Sequence, residues 1–260
     1  MFNHRFITNF TKYRFLLAEL VKRDLTVKYK DSVLGIFWSF LNPILDALIM
    51  VIIFGFFFGS SIPYFAVYVV IGRITFNFFS SGTSGALNSI KSGAGIIKKL
   101  YVPKYIYPLS KILSESINLA ISMIVLVGAM IVIQCPFSFY NLVAIVPIAI
   151  LFVFTLGCGL LLASINVFFK DIKYLYSVFI QLLMYASALF YPIDRFPPEM
   201  MIVFKLNPLY CAISGFRDTI LYQQFPDPGM LLYQLITAII AFAVGLFVFY
   251  KTQDKFVLHL

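Results

Sequence analysis

The chain has 260 residues, 61% of them hydrophobic and only 12% charged, with a net charge of +9. That leaves too little polar surface to coat a water-soluble body of this size, which excludes an ordinary soluble globular protein. The basic excess is confined to particular gaps between apolar stretches, so it gives no support for nucleic-acid binding.

The first 32 residues are polar and basic, and no short apolar core with a small-residue cleavage site follows them, so no cleavable signal peptide is expected. Phe6, Phe10, Tyr13, Leu17 and Leu20 recur at steps of four and three, while Lys12, Arg14, Glu19 and Lys22 fall mostly elsewhere. The pattern predicts an amphipathic helix, lying in the cytoplasmic headgroup layer or packed on a partner protein.

Six apolar stretches follow, at roughly 33–58, 64–88, 106–133, 139–169, 174–192 and 229–250. Crossing ~30 Å of hydrocarbon takes ~20 apolar residues, and the fifth stretch is about long enough. Backbone polar groups find no water in lipid, so each stretch is expected to be helical. The first span carries Gly55-x-x-x-Gly59, a small-residue contact face or simply two glycines in an apolar helix. Gly82-Thr83-Ser84-Gly85 in the second matches a serine-protease tetrapeptide, but the two histidines, His4 and His259, lie at the chain ends. It reads as small residues permitting close helix packing.

Asp46, Arg73 and Glu115 fall inside spans, where each costs roughly 2.5–3.5 kcal/mol at mid-bilayer and needs a partner or water. Measured from the outer ends of adjacent antiparallel spans, Asp46 and Arg73 differ in depth by only about 4–5 Å. They are expected to pair, or to face one water-filled channel. Glu115 lies one helical turn beyond Lys111, where an ion pair is plausible.

The gap 89–105 reads NSIKSGAGIIKKLYVPK. Gly93 and Gly95 are expected to break the second span, and a short amphipathic helix should end at Pro103. An apolar knob ringed by lysines suits a docking surface for another protein, or else the loop merely enforces topology. In the long gap 191–228, prolines isolate two apolar segments, 199–206 and 209–222, too short to span. They read as re-entrant or interfacial helices able to close a pore. Cys135 and Cys211 should both lie near the outer face, where a disulfide is possible but two unpaired thiols are favoured. No nucleotide-binding P-loop and no metal-ligand spacing occurs.

Basic residues set the orientation. Seven precede the first span, and Lys91, Lys98, Lys99, Lys104 and Lys111 follow the second. Lys170 and Lys173 follow the fourth, and Lys251 and Lys255 the last, whereas the opposite gaps hold only Arg195, Lys205 and Arg217. Both ends and the second and fourth gaps are therefore expected in the cytoplasm. The 30 Phe, 16 Tyr and one Trp exceed what interface belts require and permit, without proving, a glycan conduit.

Several runs resemble the permeases of bacterial ATP-binding-cassette exporters for O-antigen, capsule and teichoic acid polymers. These are RDLTVKYKDSVLGIFWSFLNPIL (23–45), IIKKLYVPKYIYPLS (96–110), LGCGLLLASINVFFKDIKYL (156–175), YPIDRFPP (191–198), LNPLY (206–210) and GFRDTIL (215–221). The resemblance covers about residues 20–250. It implies an all-α integral membrane fold forming one transmembrane domain over 1–260. Its parts would be a cytoplasmic interface helix (1–32), a six-span bundle (33–250) with a coupling helix and two outer gate helices, and a cytoplasmic tail (251–260). It implies a homodimer in the bacterial cytoplasmic membrane, bound to two copies of a separate ATPase that holds ATP and Mg. The cargo would be a lipid-linked polysaccharide, and this chain would bind no cofactor and catalyse nothing itself.

Carried over to this sequence, ATPase coupling falls on Ile96, Ile97, Lys98, Lys99, Leu100, Tyr101, Lys170 and Asp171. The substrate channel falls on Trp38, Asp46, Arg73, Phe76 and Tyr185, and the outer gate on Pro198, Glu199, Met200, Leu209, Tyr210 and Arg217. Arg73 and Phe76 stand where the family usually has an apolar residue and then tryptophan, and Val102 where it often has phenylalanine. Two other classes fit the span pattern: a drug or lipid permease of the same superfamily, and a membrane scaffold of glycan biosynthesis with no conduit. A neighbouring ATPase gene separates exporter from scaffold, and a glycosyltransferase cluster separates glycan from drug.

Overall fold

The computed structural model describes residues 2–28, 30, 32–59, 62–99 and 102–260, with the side chains of all but 2–11 and 36. The described residues are helical with short connections, and contain no strand. In chain order the helices are α1 (Phe2–Lys28), α2 (Trp38–Phe58), α3 (Phe65–Ser92), α4 (Ala94–Ile97), α5 (Ile106–Val132) and α6 (Tyr140–Val143). Then come α7 (Ile145–Phe168), α8 (Ile172–Tyr185), α9 (Pro198–Lys205), α10 (Pro208–Ile220), α11 (Pro228–Thr252) and α12 (Phe256–His259). Among the described residues, five helices are long and apolar enough to cross a membrane: α2, α3, α5, α6 continued by α7, and α11 continued by α12.

The fifth predicted stretch behaves differently. Its helix, α8, has only 14 residues and ends at Tyr185, which is about 21 Å of rise. Ala188 follows in the left-handed region at φ 48°, where an L-residue cannot continue a helix. Apolar composition through residue 192 gave no warning of this break.

α3 is the central helix. Of its most apolar stretch 72% is buried, against 6% for α2, whose large side chains face outward. Close approach of α3 depends on missing side chains, as the small-residue tetrapeptide suggested. A Cβ on Gly82 would sit 3.0 Å from Thr155 Cγ2, and one on Gly85 would sit 3.4 Å from Lys111 Cβ. The tightest crossing is between α7 and α11, where a Cβ on Gly245 would collide with the Gly157 carbonyl oxygen. Gly55, by contrast, meets only the Phe65 ring and Val51.

The amphipathic stripe of α1 packs against the protein's own bundle. Leu17 and Leu20 are buried in a cluster with Ile90, Ile97, Ile106 and Phe249, while Phe6 and Phe10 lie outside the described side chains. Two ion pairs tie α1 to α5: Lys111 to Asp24 at 2.9 Å and Lys28 to Glu115 at 3.3 Å. The expected Lys111–Glu115 pair is thus replaced. Residues four apart on α5 each find a partner on α1 across the helix interface. The three cysteines are free thiols; Cys135 and Cys211 do not bond to each other.

Candidate conduit, gate and coupling sites

At mid-bundle, Arg73 Nη2 donates to Asp46 Oδ2 at 2.7 Å, joining α3 to α2. Arg73 Nη1 lies 3.9 Å from the Met184 sulfur of α8. The Arg73 side chain is largely enclosed, whereas Asp46 is 40% open on the outward face of the pair. The ion pair therefore sits where α2, α3 and α8 meet and presents its carboxylate outward. Phe76, one turn further along α3, is buried in the main core and does not share that surface. Trp38 is half-buried at the start of α2, and Tyr185 is exposed at the end of α8.

Beyond α8 the chain turns back through α9 and α10. Both start with proline, whose missing N–H costs nothing in the first helical turn. Asn207 caps α10 by accepting from Leu209 N at 3.0 Å, and its amide donates to Ala186 O at 3.0 Å. An aromatic cluster of Tyr191, Phe196, Phe204 and Tyr210 joins the two short helices to the end of α8. Pro198, Glu199 and Met200 are exposed on α9, while Leu209 and Tyr210 are buried.

Arg217, expected at an accessible gate, is buried. Its guanidinium donates to the carbonyls of Ala188 at 3.1 Å, Leu189 at 2.8 Å and Tyr68 at 3.4 Å. The guanidinium also lies 3.4 Å from the centre of the Tyr68 ring. The Ala188 and Leu189 carbonyls belong to the backbone left unpaired where α8 breaks, and a membrane protein must satisfy them internally; the Tyr68 carbonyl lies on α3. A Cβ on Gly72 would come within 2.9 Å of Arg217 Nη2, so glycine there makes room for the charge. Nothing in the local sequence marks this role: an arginine in an outer gap reads equally well as a solvated residue.

On the side carrying the basic gaps, α3 ends at Ser92 and α4 begins at Ala94. Gly93 is required by close approach, since a Cβ would lie 2.6 Å from the Tyr107 ring; Gly95 lies inside α4 and faces open space rather than breaking a helix. Ile97 is buried, Ile96 half-buried, and Lys98 and Lys99 exposed, while Leu100 and Tyr101 lie outside the described residues. The end of α3 is fixed by Asn166, fully buried on α7. Its amide donates to Leu87 O at 2.7 Å, and its carbonyl accepts from Lys91 Nζ at 3.1 Å. Asn166 lies four residues before the exposed Lys170–Asp171 turn, so its bond to Lys91 places that turn at the same end of the bundle as α4.

These features define an integral membrane protein with a centrally buried helix, a short helix at one end and a folded pair of short helices at the other. Residues 16–221 match the ABC-2 type transporter family, and the chain belongs to it. It is 32% identical to the O-antigen export system permease protein RfbA of Klebsiella pneumoniae over 93% of each chain. Identity to the Myxococcus xanthus protein of the same name is 26%, over 97% of this chain and 98% of that one. The polysialic acid transport protein KpsM of Escherichia coli is 20% identical over 95% of this chain and 97% of its own.

Proposed function

We propose that this chain is the transmembrane subunit of an ATP-driven exporter that moves a lipid-linked polysaccharide across the bacterial cytoplasmic membrane. The observation that carries the reading is its likeness, over 93% of both chains, to a permease named for O-antigen export. The capsule-type relatives support a glycan cargo as well. ATP and Mg bind in a partner ATPase. α4, with the Lys170–Asp171 turn beside it, receives that ATPase.

Two copies of the chain pair, and two ATPase copies bind them. The outward apolar faces of α2 and α8 support this arrangement, with lipid covering part and the second copy the rest. The conduit then runs between copies, with Trp38, the Asp46–Arg73 pair and Tyr185 along it and Phe76 backing the wall. Exposed rings suit the apolar C–H faces of sugars. α8 and the non-helical residues 186–192 together form the sixth crossing, so both chain ends lie with the lysine-rich gaps in the cytoplasm. α9 and α10 close the outer end. Deleting the chain in its native host tests the reading. Surface polymer should disappear while antibody to the polymer stains permeabilised cells; unchanged surface polymer would refute it.

A further inference from the structure

The segment after the last span folds back against the docking helix. Phe256 is fully buried, 5.3 Å from the Phe249 ring and 6.0 Å from the Phe168 ring, and His259 packs edge-on against Phe168 at 4.9 Å. Lys104 Nζ donates to Gln253 O at 2.6 Å. That carbonyl sits at the C-terminal cap of α11, where a positive charge is favoured, and it also accepts from Phe256 N. Residues 253–259 are therefore held in place by a buried ring and a capping lysine.

A half-open groove of about 380 Å³ lies between this segment and α4. Lys98 and Lys99 stand on one wall, Gln253, Asp254 and Val257 on the other, and Lys104 crosses between them. Around it, Lys251 and Lys255 add to Lys98, Lys99 and Lys104, against one acid, Asp254. Val257 is 44% exposed and Leu258 83%. Exposed apolar side chains thus stand on the C-terminal wall and exposed lysines on the α4 wall.

We infer that residues 253–260 form the second wall of the ATPase seat, and that an acidic projection of the ATPase inserts between this wall and α4. The inference rests on the reading of α4 as the docking helix. A body seated on Lys98 and Lys99 at the groove meets Val257 on the other side, because one cavity has both walls. The lysine excess demands an acidic partner surface, and desolvated complementary charge also fixes orientation.

The experiment compares two charge reversals in the full-length chain co-expressed with its ATPase. One is Lys98→Glu with Lys99→Glu; the other is Lys255→Glu with Val257→Glu. Each should lower co-purification of the ATPase at least tenfold while the permease elutes normally in detergent. A Val257→Cys variant, free of native exposed thiols, should cross-link to the ATPase through a short bifunctional reagent, and this readout stands even where the double variant misfolds. Loss with the α4 variant, together with full retention by the 255/257 variant and no cross-link at 257, overturns the second wall and leaves α4 docking intact. Retention by both variants overturns the α4 reading itself.

Discussion

Arg217 carries a positive charge in a site that excludes water, and it is stabilised there by three backbone carbonyls and an aromatic face. Removing it strands the Ala188 and Leu189 carbonyls, each costing roughly 1–3 kcal/mol when unsatisfied. Arg217→Leu should therefore abolish folded yield in detergent. Arg217→Lys should recover part of it, because an ammonium is a compact charge and cannot reproduce the planar fork. Equal yields for both variants would remove the clamp. At Asp46 and Arg73 the geometry calls for coupling: Asp46→Asn or Arg73→Leu alone should cost about 3 kcal/mol. The double replacement should restore most of the folded yield, and additive losses would argue against direct pairing. This pair was legible from depth arithmetic on two adjacent spans. The Arg217 clamp was not, because its partners lie 28, 29 and 149 positions away, two of them on backbone whose break composition did not reveal.

At the scale of elements, spans and short outer helices were readable because prolines and unbroken apolar runs act locally. The α9 and α10 boundaries fall within a residue or two of the proline-bounded segments 199–206 and 209–222. What failed to show was where one element stops for tertiary reasons. α8 ends early because its freed carbonyls have Asn207 and Arg217 to satisfy them. The stripe of α1 gave a face but not its occupant, which is the protein's own α5 side. The polar residues of that interface chose cross-helix partners over the nearer neighbour, a choice spacing alone does not contain. If α9 and α10 close the outer end, deleting residues 199–206 should make liposomes holding the protein leak small solutes. A deletion that stays tight and still exports polymer would reduce the pair to an inert surface fold.

For the whole molecule, the lysine and arginine bias predicts which end faces the cytoplasm. A cysteine at position 98 should be protected from membrane-impermeant reagents in intact cells, and one at 199 should be labelled. The native thiols are buried or half-buried and give little background. The reverse pattern would invert the bundle and overturn the reading of α4 as the ATPase seat. The central claim is transport, and it is tested most directly in proteoliposomes containing the chain with its ATPase and a lipid-linked polysaccharide on the outer leaflet. With the ATPase sites facing outward, adding ATP and Mg should progressively protect the polymer from an added glycosidase, and a non-hydrolysable nucleotide should not. Polymer that stays fully digestible with ATP present, in vesicles where the ATPase turns over, would contradict the account.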